Sequence, residues 1–389
     1  MTNLTAADRK RRVLSPGPRL WIRRAAVVLA AGALLTAGIA GTMRLVAGRR
    51  RPSPGRLFAG RIAAGAVLAP GPSSVLAFWR GDDGIRVSRV PLNGAGVDSA
   101  LVCADGVICA GDGAASVTDR ATGIIRHYST DATGVTPAWT TRSPGAVMAA
   151  ASQKAVVVVT GASAGGKTGF RVKRLDTRGR ALWDREATAG IPLFLRVFQG
   201  GQFIAGVLQV KEYPSTTLFI GNDSGWAETK PVPGLVKCVA AGAGLVVVGS
   251  GSSVYAHDLS GQLEWCIEPG GTPVDVCVGA GGVLAAVRKR AENGLASLFV
   301  GDFVAMYDVE GARLWKVDLK PGVTCVRCFG NGVLAGTSAG VVALDYGGRI
   351  LWEVKLPSPV KRLEIAPGGN QFYVSTEAGE LYSYSLGPA

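Results

Sequence analysis

The sequence predicts an all-β ring, a β-propeller of about eight four-stranded blades with seven as the alternative, preceded by one membrane-spanning helix. Three observations carry that expectation. A turn pattern recurs about every forty residues; short β-branched runs are punctuated by glycine, with no long amphipathic helix among them; and one uncharged stretch of nineteen residues lies near the N-terminus. At 389 residues, 48% hydrophobic and only 18% charged, the chain can bury a large core and is not of disordered or coiled-coil composition.

Residues 1–24 form a basic tail. Positions 1–61 hold thirteen of the 42 lysines and arginines but a single acid, Asp8, so this segment carries most of the net charge of +14. The remaining body is nearly neutral, which argues against a folded nucleic-acid-binding surface. Residues 25–43 contain no charge, and Leu45, Val46 and Ala47 extend the apolar run, so 25–47 is expected to span a bilayer as one helix. A cleaved signal peptide is the rival reading. The run is long for a signal core, and Arg49, Arg50 and Arg51 follow it as a stop signal would. The first cysteine is Cys103, so no lipidated cysteine follows the helix.

Within fifteen residues of the span there are six bases on its N-side and five on its C-side. The balance is nearly even. The expectation is a single-pass protein of the cell membrane with its N-terminus in the cytoplasm and the propeller extracytoplasmic, a cytoplasmic propeller being the alternative. The basic clusters would hold the helix ends against anionic lipid headgroups. Residues 48–56 read as a basic Pro/Gly linker, and 57–389 as the propeller.

Within the body the recurring pattern is Asp-x-x-Gly-x-x-x-Trp. It occurs as Asp176, Gly179, Trp183; as Asp258, Gly261, Trp265; as Asp308, Gly311, Trp315; and as Asp345, Gly348, Trp352. Looser copies are Asp131, Gly134, Trp139 and Asn222, Gly225, Trp226. Spacings between the tryptophans of 44, 43, 39, 50 and 37 residues correspond to one four-stranded blade each. Asp ends a strand and caps the turn through its carboxylate; Gly takes the positive φ that closes the hairpin; Trp re-enters the next strand with a large face to bury. The last unit, 371–384, stops where its turn and outermost strand should follow. Residues 57–62 are expected to supply that strand, joining the two ends of the ring and removing an exposed edge.

A strand ending in Leu-Asp followed by x-x-Gly-x-x-x-Trp, as in residues 341–352, resembles the pyrroloquinoline-quinone (PQQ) type propeller repeat. The resemblance extends over nearly the whole body. It implies one of two kinds of protein: a PQQ-dependent dehydrogenase, or a non-catalytic propeller similar to the outer-membrane barrel assembly factor. The enzymes imply adjacent cysteines and calcium ligands beside the quinone. No Cys-Cys pair occurs here, and the nearest acidic pair, Asp82-Asp83-Gly84, reads as a hairpin turn. The non-enzyme reading is therefore preferred, with no cofactor and no metal expected.

Other candidate chemistry is weaker. Seven cysteines cannot all pair internally; Cys238, Cys277 and Cys328 each precede a glycine-rich turn, with Cys103 a fourth. A thiol ring could hold a soft metal, but small buried packing residues are the preferred reading. Cys325 and Cys328 would point to opposite faces of a strand, too far apart for a zinc or redox pair. His127 and His257 lie in strand-like runs, with His257 standing where Leu344 stands in its sister repeat. Residues 161–168 match the spacing of a phosphate-binding loop literally, yet a strand rather than a helix follows, so a hairpin is expected. Arg288, Lys289 and Arg290 open a basic insertion in the longest repeat and are the expected partner loop.

Taken together, these features point to a membrane-anchored propeller acting as a protein interaction or assembly scaffold. A PQQ-dependent dehydrogenase and a surface sensor with a small ligand in the central channel are the alternatives.

Overall fold

The computed structural model describes residues 56–386, apart from 62–65, 72–73, 92–97, 112–113, 131–134, 152–154, 165–166, 177–178, 188–189, 199–201, 211, 223 and 289–300. The basic tail, the expected helix at 25–47 and most of the linker lie outside these residues. Among the described residues no helix is long and apolar enough to cross a membrane.

Eight antiparallel sheets account for the strands. In chain order, blades 1 to 7 run over 67–103, 106–142, 146–187, 191–233, 236–267, 272–318 and 323–355. The eighth sheet combines three strands from 360–385 with Arg56–Arg61, whose residues Ala59, Gly60 and Arg61 pair with Tyr382, Leu381 and Glu380. Blade 4 carries an additional short strand, Val232–Pro233, on its third strand. The two segments before Trp139 that lack the full repeat still build blades 1 and 2, which brings the ring to eight.

Why these residues form blades is visible in the burial. The second strand of each unit is sandwiched between neighbours and is apolar on both faces: Leu245–Ser250 and Gly332–Thr337 are buried at every position. Outer strands alternate, as in Arg313–Asp318, with Trp315 and Val317 turned inward and the flanking residues exposed. The core is a series of packed layers between adjacent blades. Val247, Val254, Ala256, Val283, Ala285 and Phe303 form the layer between blades 5 and 6. Blade 8 meets blade 1 through Leu68, Val75, Ala77, Tyr373 and Leu381, and the Tyr373 hydroxyl donates to the Gly71 carbonyl at 3.2 Å.

Candidate functional site

The repeat residues build the rim. Asp258 Oδ1 accepts the backbone N–H groups of Ser260 (2.9 Å) and Gln262 (2.8 Å); Asp308 does the same for Glu310 (3.0 Å) and Ala312 (2.8 Å), and Asp345 for Gly347 (3.0 Å) and Arg349 (2.9 Å). Asp176 caps the equivalent turn by accepting from the Arg180 amide at 2.9 Å. Gly179, Gly261, Gly311 and Gly348 have φ of 78°, 85°, 87° and 83°, a left-handed conformation that costs any other L-residue about 1–2 kcal/mol. The carboxylates are thus engaged by the backbone of their own turns.

The eight innermost strands surround a cavity of about 550 Å³ on the ring axis. Its wall is polar and apolar in equal measure: Val67, Ile108, Val239 and Ile365 are among its aliphatic residues, and six charged side chains stand in it, Arg196, Lys237, Asp275, Arg327, Arg362 and Glu364. Arg327 Nη1 donates to Asp275 at 2.8 Å and Nη2 to Glu364 at 3.0 Å, joining the inner strands of blades 6, 7 and 8. Asp275 also accepts the Val326 backbone N–H at 3.0 Å. Burial alone would favour a neutral Arg327, but the two carboxylates outweigh it and hold the guanidinium charged, its pKa above the usual arginine value.

Arg362 lies two residues before Glu364 on blade 8 and makes no ion pair among the described residues. Its Nε is shut off from solvent without a hydrogen-bond partner. Burial, then the charge of Arg196, pull its pKa below the arginine range; the attraction of Glu364 is the smaller influence. Arg196 belongs to blade 4, on the opposite side of the ring from blade 8. Arg196 lines the same cavity as Cys109 of blade 2 and Cys238 of blade 5.

The sequence suggests a central channel as the place of a small ligand in one alternative, but none of the charged residues that line it. A signal existed: Arg196, Arg327 and Arg362 interrupt inner strands where sister blades carry Ala240, Cys277 or Cys238. It became readable only once the strand registers were known.

The other expected candidates resolve as follows. The cysteines do not form a ring. Cys238 lies opposite Gly249, Cys277 opposite Leu284 and Cys328 opposite Val333, at different heights, because they stand four, two and one residues before the last ladder pair of their hairpins, Gly242, Gly279 and Phe329. Cys277 and Cys328 are nevertheless neighbours in one packed layer, while Cys325 packs in the next layer round the ring. All seven thiols are free, and only Cys266 is fully exposed. Burial pushes the Cys109 thiol up to about 11 and those of Cys238 and Cys325 to about 12, so they stay protonated and inert at neutral pH.

His127 and His257 are buried, each with an unpartnered Nδ1. His127 stacks on Trp139 with ring centroids 4.9 Å apart, and burial lowers its pKa to about 4. Within 161–168, the strands Ala155–Ala164 and Lys167–Asp176 form a hairpin in which Ala164 pairs with Lys167, so no helix N-terminus faces a phosphate. Asp82 and Asp83 occupy the turn between Ser74–Gly81 and Gly84–Pro91, where Asp83 pairs with Arg86. No group of three or more His, Cys, Asp or Glu among the described residues could hold a metal. Of the basic insertion, Arg288 ends a strand and lies 3.8 Å from Asp302; Lys289 and Arg290 fall outside the described residues.

Comparisons with known proteins agree with the architecture. Residues 301–387 match the family described as Outer membrane protein assembly factor BamB. Among solved structures, BamB from Moraxella catarrhalis is 15% identical, with a TM-score of 0.54 over 86% of this chain and 98% of that one. The Dos1 propeller is 10% identical, with a TM-score of 0.60 over 87% and 96% of the two chains. Sqt1 from Saccharomyces cerevisiae is 13% identical, with a TM-score of 0.59 over 86% and 99%. No curated protein matches the sequence. The chain carries a PQQ-like propeller repeat similar to that of BamB.

Proposed function

We propose that this propeller is a non-catalytic scaffold that docks a protein partner on its rim, held at the membrane by residues 25–47. The observation that carries the reading is a repeated apolar edge. Leu101, Leu182, Leu263, Leu314 and Ile350 stand on the outermost strands of blades 1, 3, 5, 6 and 7 and are 45–56% exposed. Single exposed aliphatic residues are ordinary, but here Leu182 and Leu314 directly precede the repeat Trp, Leu263 and Ile350 stand two residues before it, and Leu101 lies on the equivalent strand of blade 1, so the outermost strands of five blades each present one. The matching segment to the BamB family and the likeness to other whole-chain propellers support a display role for the ring.

The test is to replace Leu263 and Leu314 by Glu in the full chain and measure co-purification with its membrane complex in mild detergent. The partner should be lost while the melting temperature stays within a few degrees. Retention of every partner by the double variant would refute rim docking. Topology is separately testable: Cys266 is the exposed thiol, so a membrane-impermeant maleimide should label it in intact cells if the propeller is extracytoplasmic.

A further inference from the structure

We infer that the axial channel binds a small multivalent oxyanion, a polycarboxylate or phosphate-bearing molecule, between Arg196 of blade 4 and Arg362 of blade 8. The inference rests on the channel alone and would stand whether or not the rim docks a partner.

Charge within the cavity does not balance. Of the four cations that line it, Arg327 is taken up by the only two carboxylates there, Asp275 and Glu364. Arg196, Lys237 and Arg362 have no ion-pair partner among the described residues. Arg362, buried on blade 8, and Arg196 on blade 4 line one cavity, and their like charges repel each other across it. An anion between them removes that repulsion and completes charge-assisted hydrogen bonds, which planar guanidinium groups make to carboxylate or phosphate in paired fashion.

The size of the space selects the ligand. A cavity of about 550 Å³ lies within the range of small-molecule pockets, roughly 300–1,000 Å³. The Arg327 cluster engages the two carboxylates that would otherwise neutralise Arg362. Held on Arg327, Asp275 and Glu364 disfavour an anion beside that residue, which leaves the space between Arg362 and Arg196 for it. Lys237, on the inner strand of blade 5 next to blade 4, adds a third donor on that side.

The experiment is calorimetric titration of the full-length chain with citrate and with inorganic phosphate at constant ionic strength, chloride serving as the control. Saturable binding of citrate, phosphate or both is expected. Arg196→Ala should weaken it at least roughly tenfold, the effect of losing one hydrogen bond to a charged group. Arg362→Ala should do the same; if that variant does not fold, Arg196→Ala suffices, because Arg196 is exposed in the channel and holds no structural partner. Arg180→Ala, which removes an equal charge from a rim turn, should bind as the parent does. No saturable binding by the parent protein, unchanged binding by Arg196→Ala, or an equal loss in Arg180→Ala would each overturn the proposal. So would binding of an acidic peptide alone, which would assign the channel to a protein segment.

Discussion

The indole N–H of Trp315 donates to the backbone carbonyl of Tyr346 at 2.7 Å, tying the outer strand of blade 6 to the Asp-Gly turn of blade 7. Trp265 makes the same bond to Val309, one blade earlier, also at 2.7 Å. A Cβ on Gly348 would come within 2.9 Å of the Trp315 ring, and one on Gly311 within 3.0 Å of Trp265. The glycine of the repeat thus has two duties, a positive φ in its own turn and a bare platform for the tryptophan of the preceding blade. Asp-x-x-Gly-x-x-x-Trp is a connector between blades as much as a turn within one.

Gly348→Ala should accordingly destabilise the ring by about 1–3 kcal/mol, combining left-handed strain with displacement of the Trp315 ring. Trp315→Phe should cost a similar amount, leaving the Tyr346 carbonyl without its donor. Because both changes act on one contact, the double variant should show a coupling of at least about 0.5 kcal/mol in denaturant unfolding. Gly330→Ala is the control: no atom lies within 4 Å of its added Cβ, and stability should stay within about 0.5 kcal/mol. Additive effects of the first pair would remove the inter-blade role from the motif.

That second duty explains what could and could not be read beforehand. The ring and its eight blades were legible because each turn imposes local chemistry, a capping carboxylate and a positive φ, that recurs at blade spacing. The missing outer strand of the last unit was visible for the same reason, as a repeat cut short. The charged lining of the channel was not legible, because the inner strands face one another only across the axis. Arg196 and Arg362 are 166 positions apart in the chain yet share one cavity. Equivalence of the cysteines failed because the glycine-rich turns begin at different distances from them, four residues after Cys238 but one after Cys328, which only the ladder register shows. Blade 4 shows the limit of the repeat: its turn begins at Asn222, and the Trp183 indole Nε1 from blade 3 finds no partner there.

Acid should weaken the fold through its two histidines. The folded-state pKa of His127 is lowered to about 4 from an ordinary value of 6.5, by burial, and that of His257 is lowered by burial against a smaller opposing pull from Asp258. Below pH 6.5 the unfolded chain therefore binds protons that the native state refuses. Stability falls as pH drops from about 6.5 toward 4, by up to about 3 kcal/mol for His127 on this basis. His257→Leu, which installs the residue of the sister repeat at Leu344, should fold and lose part of this acid sensitivity. An unchanged pH profile of melting in His257→Leu and His127→Met would exclude the histidines as its source.

The Asp275, Arg327, Glu364 cluster should behave as a unit. Each side chain is about a fifth exposed, and removal of the guanidinium in Arg327→Met strands two carboxylates in the channel wall. A loss of about 3–5 kcal/mol is expected. The triple variant Asp275→Asn, Arg327→Gln, Glu364→Gln leaves no stranded charge and should be markedly more stable than Arg327→Met alone. The reverse order, measured by urea denaturation, would show that these residues act independently.

Closure by the strand Arg56–Arg61 sets the resistance of the whole ring to opening. Its pairing with Glu380–Ser385 is the one place where sequence-distant ends complete a sheet, so separating them exposes a strand edge without breaking any covalent turn. Blade 8 otherwise joins blade 1 through side-chain packing and the Tyr373 bond to Gly71. Proline at Ala59 and Gly60 places one ring on each side of the ladder and removes at least one inter-strand donor, which costs about 3 kcal/mol or more. Because opening at this seam exposes the apolar layer between blades 8 and 1, the loss should appear chiefly as faster irreversible thermal inactivation. A synthetic peptide of residues 54–63 added in trans should slow it again. An inactivation rate equal to that of the parent would mean that packing between blades 8 and 1, not the shared sheet, holds the ring shut.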